Sequence, residues 1–253
     1  YGEFALIGDA VSRWTFGGYY AKGDNRARRH RNVNGQRAGL VSESDQDSTS
    51  LTTFGQLDLG LTDRFTAIVG GQYAKVARDV DAVLADVSGR GEYEQFSPRF
   101  GVLYQLSETA QIYGNINRSF EPPSLADLTS GGARPFAPLK EQRATTFEIG
   151  SRGQASFIAW DVSLYRSEVE NEFLDFGVPG ANGFVSFTDN AEKTIHQGIE
   201  LGLDVYVARE VLAARGQAFT LPGAYTFNAF RLDHDRVYAD NQLAGVPRHA
   251  FVS

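Results

Sequence analysis

The sequence has no cysteine among its 253 residues, which excludes disulfides and thiolate metal sites. Methionine is absent too and the chain starts at Tyr1, so the expectation is a processed or truncated chain whose signal peptide would already be gone. No apolar run reaches the roughly 18 residues that a transmembrane helix requires. The four histidines, His30, His196, His234 and His249, lie in separate segments, and without HExxH spacing they suggest no metal site. No nucleophile elbow supports a hydrolase. With 24 Lys and Arg against 31 Asp and Glu, the net charge is −7, which argues against generic nucleic-acid binding. The residues therefore predict no enzyme, no metal site and no cofactor.

What is present is alternation. Around residues 110–119, Ala110, Ile112, Gly114 and Ile116 alternate with Gln111, Tyr113, Asn115, Asn117 and Ser119, the period of a strand with one apolar and one polar face. Pro122 and Pro123 stop this strand, since neither can donate to a ladder. A loop of about twenty residues follows up to Arg143, longer than most connections in compact domains and of a length that is often functional. Comparable strands are expected over 51–61, 64–78, 96–106, 144–152, 158–165, 199–207 and 219–230, with weaker ones within 1–20 and a new one starting before Ser253. A short hairpin is expected over 184–187.

The connections alternate in length. Short turns fall at Thr62, Ser107, Gly153 and near Arg209; long ones are expected at 22–47, 79–94, 121–142, 171–193 and 231–246. Outer-membrane barrels alternate in this way, with tight periplasmic turns and long external loops. The nine or ten expected strands exceed the usual globular strand length and suit a tilted membrane crossing. The mean hydropathy of −0.29 is no objection, because only alternate residues of such strands touch lipid. The fold class expected is an all-β, antiparallel, up-and-down transmembrane β-barrel.

Several segments also resemble one family. Phe96-Ser97-Pro98-Arg99-Phe100-Gly101, the run from Tyr113 to Ser124 with its Ser-Phe-Glu-Pro-Pro, the stretch from Leu139 to Gly153 with Phe147-Glu148-Ile149-Gly150, the segment from Asn190 to Glu200, and Gly245-Val246-Pro247-Arg248-His249 occur in the order seen in TonB-dependent outer-membrane receptors. The pattern is most similar to the ferric-siderophore and ferric-citrate branch. The resemblance implies a 22-stranded barrel with a plugged lumen, an N-terminal plug and a TonB-contacting box. Neither plug nor box is found, so residues 1–253 are expected to be a barrel segment without plug and final strands. It further implies a Gram-negative outer-membrane location, a ferric chelate or siderophore as ligand, lipid and lipopolysaccharide as surroundings, and TonB as a partner through the N-terminal region.

The candidate chelate-binding residues are Arg26, Arg28, Arg29 and Arg31 beside His30 in the first long connection, and Arg134, Lys140 and Arg143 in the double-proline loop. Guanidinium forks suit planar carboxylates. Lipopolysaccharide phosphates, or pairing with Glu43, Asp45 and Asp47, compete for the first group. The acidic stretch 79–94 lacks EF-hand spacing and reads as solvated. Tyr73, Tyr104, Trp160 and Tyr165 suit a membrane-interface girdle, and His196 a structural role. The leading function is energised import of a ferric chelate; a passive porin-like channel is the alternative, and a soluble β-rich binding module is the reading from another class.

Overall fold

In the computed structural model, residues 1–6, 10–129, 136–180, 183–209, 218–235 and 239–253 are described. They form a single antiparallel sheet of eleven strands, each hydrogen-bonded to its neighbours in chain order. The strands are β1 (Gly2–Ala5), β2 (Val11–Val33), β3 (Gln36–Gly60), β4 (Phe65–Ala82), β5 (Val87–Ser107), β6 (Ala110–Glu121), β7 (Gln142–Gln154), β8 (Ile158–Gly180), β9 (Gly183–Arg209), β10 (Ala218–Leu232) and β11 (His249–Val252). One four-residue helix, α1 (Leu125–Leu128), interrupts the series between β6 and β7. No ladder joins β1 to β11 among the described residues, so the sheet is an open section of barrel wall.

The registers sort side chains onto two faces. One transverse row runs Leu57, Val69, Phe100, Ile116, Phe147 across β3 to β7. The adjacent row, one residue away on every strand, runs Gln56, Gly70, Arg99, Asn117, Thr146, Ser167, His196 across β3 to β9. The first face is apolar yet open: Phe16 is 71% exposed, Phe100 50% and Ile149 61%. A contiguous apolar face of that extent is far larger than a soluble monomer leaves in water. The second face is polar, concave and joined by side-chain hydrogen bonds. Apolar outside and polar inside is the arrangement of a transmembrane barrel. Outward apolar positions on β4 extend from Phe65 to Tyr73, which for tilted strands spans about 20 Å, most of the roughly 25 Å apolar band of such a barrel.

Alternation in the sequence sends the apolar members of these strands to one face and their polar neighbours to the other, and the registers agree. Ile112, Ile116, Val102, Trp160, Val162, Leu201, Leu203 and Val205 share the outward face, and Asn115, Asn117, Arg99, Glu148, Arg152, Glu200 and Asp204 the inward one. Tyr73, Tyr104 and Trp160 also face out, in keeping with a girdle. Tyr165 does not: it lies opposite Glu148 on the inward face, and its hydroxyl donates to Asn228 Oδ1 at 3.0 Å.

Three of the five stretches expected to be long loops are instead strand. β2 and β3 stay paired up to Val33 and Gln36 and close in a tight turn with Asn34 and Gly35 at φ 52° and 80°. An Asn-Gly pair with both φ positive is the hairpin signal of a type I′ turn. β4 and β5 pair to Ala82 and Val87, and β8 and β9 to Gly180 and Gly183; residues 184–187 thus belong to a long ladder rather than to a hairpin of their own. The reason is visible on β4. Beyond Tyr73 the polarity of the two faces inverts without a break in the strand: Lys75, Asp79 and Asp81 face out, while Ala74, Val76, Val80 and Ala82 face in and are buried. Above the lipid the outside is water and the inside is packed, so apolar residues change sides. Only 121–142 and 231–246 remain mostly irregular, the latter with isolated bridges Arg231 to Gln242 and Asp235 to Ala239.

Placing arginine at Val69, outward between Leu57 and Phe100, should destabilise the barrel by about 2–4 kcal/mol. The same change at inward Gln72 should cost little. Folding titrations into lipid vesicles compare the two, and equal costs would contradict the assignment of faces.

Candidate functional site

The inward wall carries a hydrogen-bond chain built on the strand that Pro122 ends. Tyr113 donates its hydroxyl to Glu148 Oε1 and Asn115 donates Nδ2 to Glu148 Oε2, both at 3.0 Å. Asn117 donates to Asn115 Oδ1 at 3.1 Å. The Tyr113 ring lies over Gly150, where any Cβ would collide with the ring, and the Arg152 guanidinium stands 5.8 Å from the ring centroid. Gln56, Gln72, Ser97 and Arg99 continue this wall, and together they line a concavity of about 500 Å³.

Above the wall, residues 124–129 and 136–140, between β6 and β7, fold inward and are tied down. Ser124 and Asp127 form a reciprocal capping box at the start of α1, with hydrogen bonds of 3.1 and 2.8 Å, which satisfies the first free amides of the helix. Leu128 is fully buried against Ala137 and Leu139, with Phe136 and Phe173 packed beside them. The Phe136 ring occupies the space over Gly89 on β5, where any Cβ would collide with it. Tyr93 on the inward face of β5 donates to Leu139 O at 3.2 Å. Asn190 on β9 accepts from Lys140 N at 2.8 Å and donates to the carbonyls of Lys140 at 3.0 Å and Asn171 at 2.8 Å. One carboxamide thus pairs with a backbone residue as a neighbouring strand would, and fixes the segment to β8 and β9.

The sequence-predicted candidates separate. Arg26 and Arg28 share the outward face with Trp14 and Tyr20. Each is ion-paired: Arg26 to Asp45 at 2.5 Å and Arg28 to Glu43 at 2.7 Å. The Arg26 fork holds the Asp45 carboxyl below its ordinary range, chiefly through the hydrogen bond. Arg26, Arg28, His30 and Arg37 line one shallow outward depression. Arg29 lies opposite Ser42 with inward parity, and Arg31 falls in the bulge between His30 and Asn32. Lys140 is held by its backbone at the foot of the inward segment. Arg143 has outward parity, opposite Phe120 and Glu170, and pairs with Glu141 at 2.5 Å. Arg134 lies outside the described residues.

The cations that face outward just above the apolar band form a network: Arg166 with Glu168, Lys193 with Glu168 and Asp233, Arg231 with Asp233 and Asp240, at 3.1–3.3 Å. Hydrogen bonds from Lys193 and Arg166 hold the Glu168 carboxyl below its ordinary value. Burial pushes Asp233 upward, but the Lys193 hydrogen bond and neighbouring charges outweigh it and leave that carboxyl lowered. Asp233, His234 and Asp240 come close enough together to hold a metal ion, yet Arg231 and Lys193 already neutralise the carboxylates. His196 is structural in its contacts: it bonds Glu172 at 3.1 Å and stacks on Phe230 with ring centroids 4.2 Å apart.

Comparison with known proteins decides what this wall belongs to. The family described as TonB dependent receptor-like, beta-barrel matches residues 1–252. The chain belongs to that family. Family members are receptors and transporters of the Gram-negative outer membrane. The catecholate siderophore receptor Fiu of Escherichia coli (strain UTI89 / UPEC) is 26% identical over 188 residues, 70% of this chain and 22% of that receptor. The chain thus spans about a fifth of the length of that relative. Among solved structures, the unliganded ferric citrate transporter FecA superposes with a TM-score of 0.72 at 16% identity, covering 98% of this chain and 37% of that one. The ferric yersiniabactin uptake receptor FyuA of Yersinia pestis gives 0.70 at 16% identity, covering 97% and 37%. These structural likenesses establish the barrel fold.

Replacing Asn190 with alanine should release residues 136–140 while leaving the ladders intact. Loss of its hydrogen bonds, with backbone groups left unpaired, should lower the local opening free energy by about 1–3 kcal/mol. Hydrogen exchange that accelerates in that segment alone is the expected result.

Proposed function

We propose that residues 1–253 form part of the barrel of an outer-membrane receptor that binds and imports a ferric chelate of the siderophore class, energised through TonB. The observation that carries this reading is the inward fold of residues 124–129 and 136–140, clamped by Tyr93 and Asn190 over a polar, concave wall. A built mouth of this kind suits recognition of a ligand, whereas a passive channel needs only an open polar lumen. The catecholate receptor relative supports iron chelates as the ligand class. Arg29, Arg31, Arg134 and Lys140 remain the sequence-derived candidates for ligand contact. Arg26, Arg28, His30 and Arg37, which face outward together, better suit phosphate groups of the surrounding lipopolysaccharide, and Arg143 is engaged by Glu141.

In the intact receptor, deleting residues 125–140 should weaken binding of an anionic ferric chelate at least tenfold, about 1.4 kcal/mol, with the barrel still resistant to detergent denaturation. Calorimetry measures the affinity and planar-bilayer recording the conductance. A steadily open channel in the undeleted protein, with no chelate binding, would contradict the receptor and support the porin-like alternative.

A further inference from the structure

On the extracellular ribbons exposed Lys22, Arg29, Arg31 and Arg37 have no carboxylate within 4 Å among the described residues and stand in water. Outward Arg26, Arg28, Lys75, Arg90, Arg166, Lys193 and Arg231 each have a carboxylate within 4 Å. Inward Arg78 on β4 has none among the described residues. Its register partners are Ser48 and Gly91, on the concave side. It interrupts a buried apolar row, between Val76 at 5% and Val80 at 1% exposure. The guanidinium is held only by neutral oxygens: Nη1 donates to Ala77 O at 3.0 Å, Ser50 Oγ at 3.3 Å and Thr49 O at 3.4 Å. Its Nε and Nη2 make no hydrogen bond among the described residues. Burial pulls this group below the ordinary arginine value, against a smaller opposing influence of the Tyr93 hydroxyl. Glu141, the acid that acts on Tyr93, is itself engaged by Arg143.

A half-buried cation without a counter-ion is costly to keep. An exposed arginine without a carboxylate is solvated by water, but a half-buried one on the concave wall is not, so this side chain holds positive charge where an incoming anion would offset the cost. The position suits that role. Tyr93, beside Arg78, is the residue that anchors the inward segment through Leu139, and the fork presents free N–H donors in the planar geometry that carboxylate and catecholate oxygens accept. We infer that Arg78 is an anion-binding residue of the receptor's mouth, contacting the oxygens of a negatively charged chelate. This rests on the chelate-receptor reading and names a specificity-determining residue for it.

The test is equilibrium binding of ferric citrate, and of the ferric complex of 2,3-dihydroxybenzoate, to the intact receptor. Arg78→Gln keeps a donor for Ser50 and the Thr49 carbonyl but removes the charge. Ser50→Asp keeps Arg78 and gives it a carboxylate partner. Arg26→Gln makes the same charge change as the first variant on the outward face. The first two variants should each weaken binding at least tenfold, by an amount that shrinks as salt is raised, while Arg26→Gln should bind as the wild type. Arg78→Lys, which keeps the charge but loses the fork, should recover part of the affinity lost in Arg78→Gln. Ser50→Asp also serves if Arg78→Gln fails to fold. Wild-type affinity in either of the first two variants would overturn the role of Arg78 and leave the receptor reading standing. Equal losses in Arg78→Gln and Arg26→Gln would overturn it as a local contact. A wild-type receptor that binds neither probe would remove the chelate reading, and this inference with it.

Discussion

The backbone ladder is the constraint on which everything else depends. Within hydrocarbon no water is present to satisfy an amide or a carbonyl, so each strand must pair along its length. β4 does so on both sides, against β3 from Ser44 to Gly60 and against β5 from Val87 to Tyr104. Once pairing is continuous, side chains have only two directions, and the environment on each side selects them. Lipid selects Leu57, Val69, Phe100, Ile116 and Phe147 in one row; the lumen selects Arg99, Asn117, Thr146, Ser167 and His196 in the next. The inversion of polarity above Tyr73 follows from the same rule, because the surroundings change while the ladder does not.

That inversion decides how much could be read from residues alone. Alternation locates the membrane-crossing parts of the strands, and it sorts Ile112 from Asn115 and Leu203 from Glu200 correctly, since one face is uniformly apolar there. It fails beyond Lys22, Arg78 and Asn171, where no uniformly apolar face marks the strand and the ladder runs on through residues that look like charged loops. The Asn34-Gly35 pair marked the true turn of the first ribbon. The basic run 22–37 therefore reads as one cluster in sequence but divides in space: strand parity sends Arg26 and Arg28 out and Arg29 in. Arg78 was concealed for the opposite reason. A single arginine at the end of an expected strand carries no pattern, and its meaning comes from its buried neighbours and the lack of a carboxylate.

The mouth segment shows how local chemistry gives a long connection a definite shape. Pro122 and Pro123 end β6, the capping box starts α1, and Leu128 is buried with Ala137 and Leu139. Glycine at 89 leaves room for the Phe136 ring, and Asn190 supplies hydrogen bonds that an irregular backbone cannot make with itself. The segment is thereby joined to β5 on one side and to β8 and β9 on the other. A ligand that touched it would act on both walls at once.

The central claim is that one continuous ladder separates a lipid face from an aqueous face at every residue of a crossing strand. These 253 residues hold no cysteine, so single-cysteine spin labels can be scanned along them once any cysteine elsewhere in the receptor is replaced. Labels placed one at a time at positions 99–106 of β5, in the receptor reconstituted in a bilayer, should show accessibility to oxygen and to a water-soluble nickel relaxer alternating in opposite phase. Even positions, beginning at Phe100 and Val102, should be oxygen-accessible, and odd positions, beginning at Arg99 and Gly101, nickel-accessible. A profile without a two-residue period, or one with the phase reversed, would contradict the account.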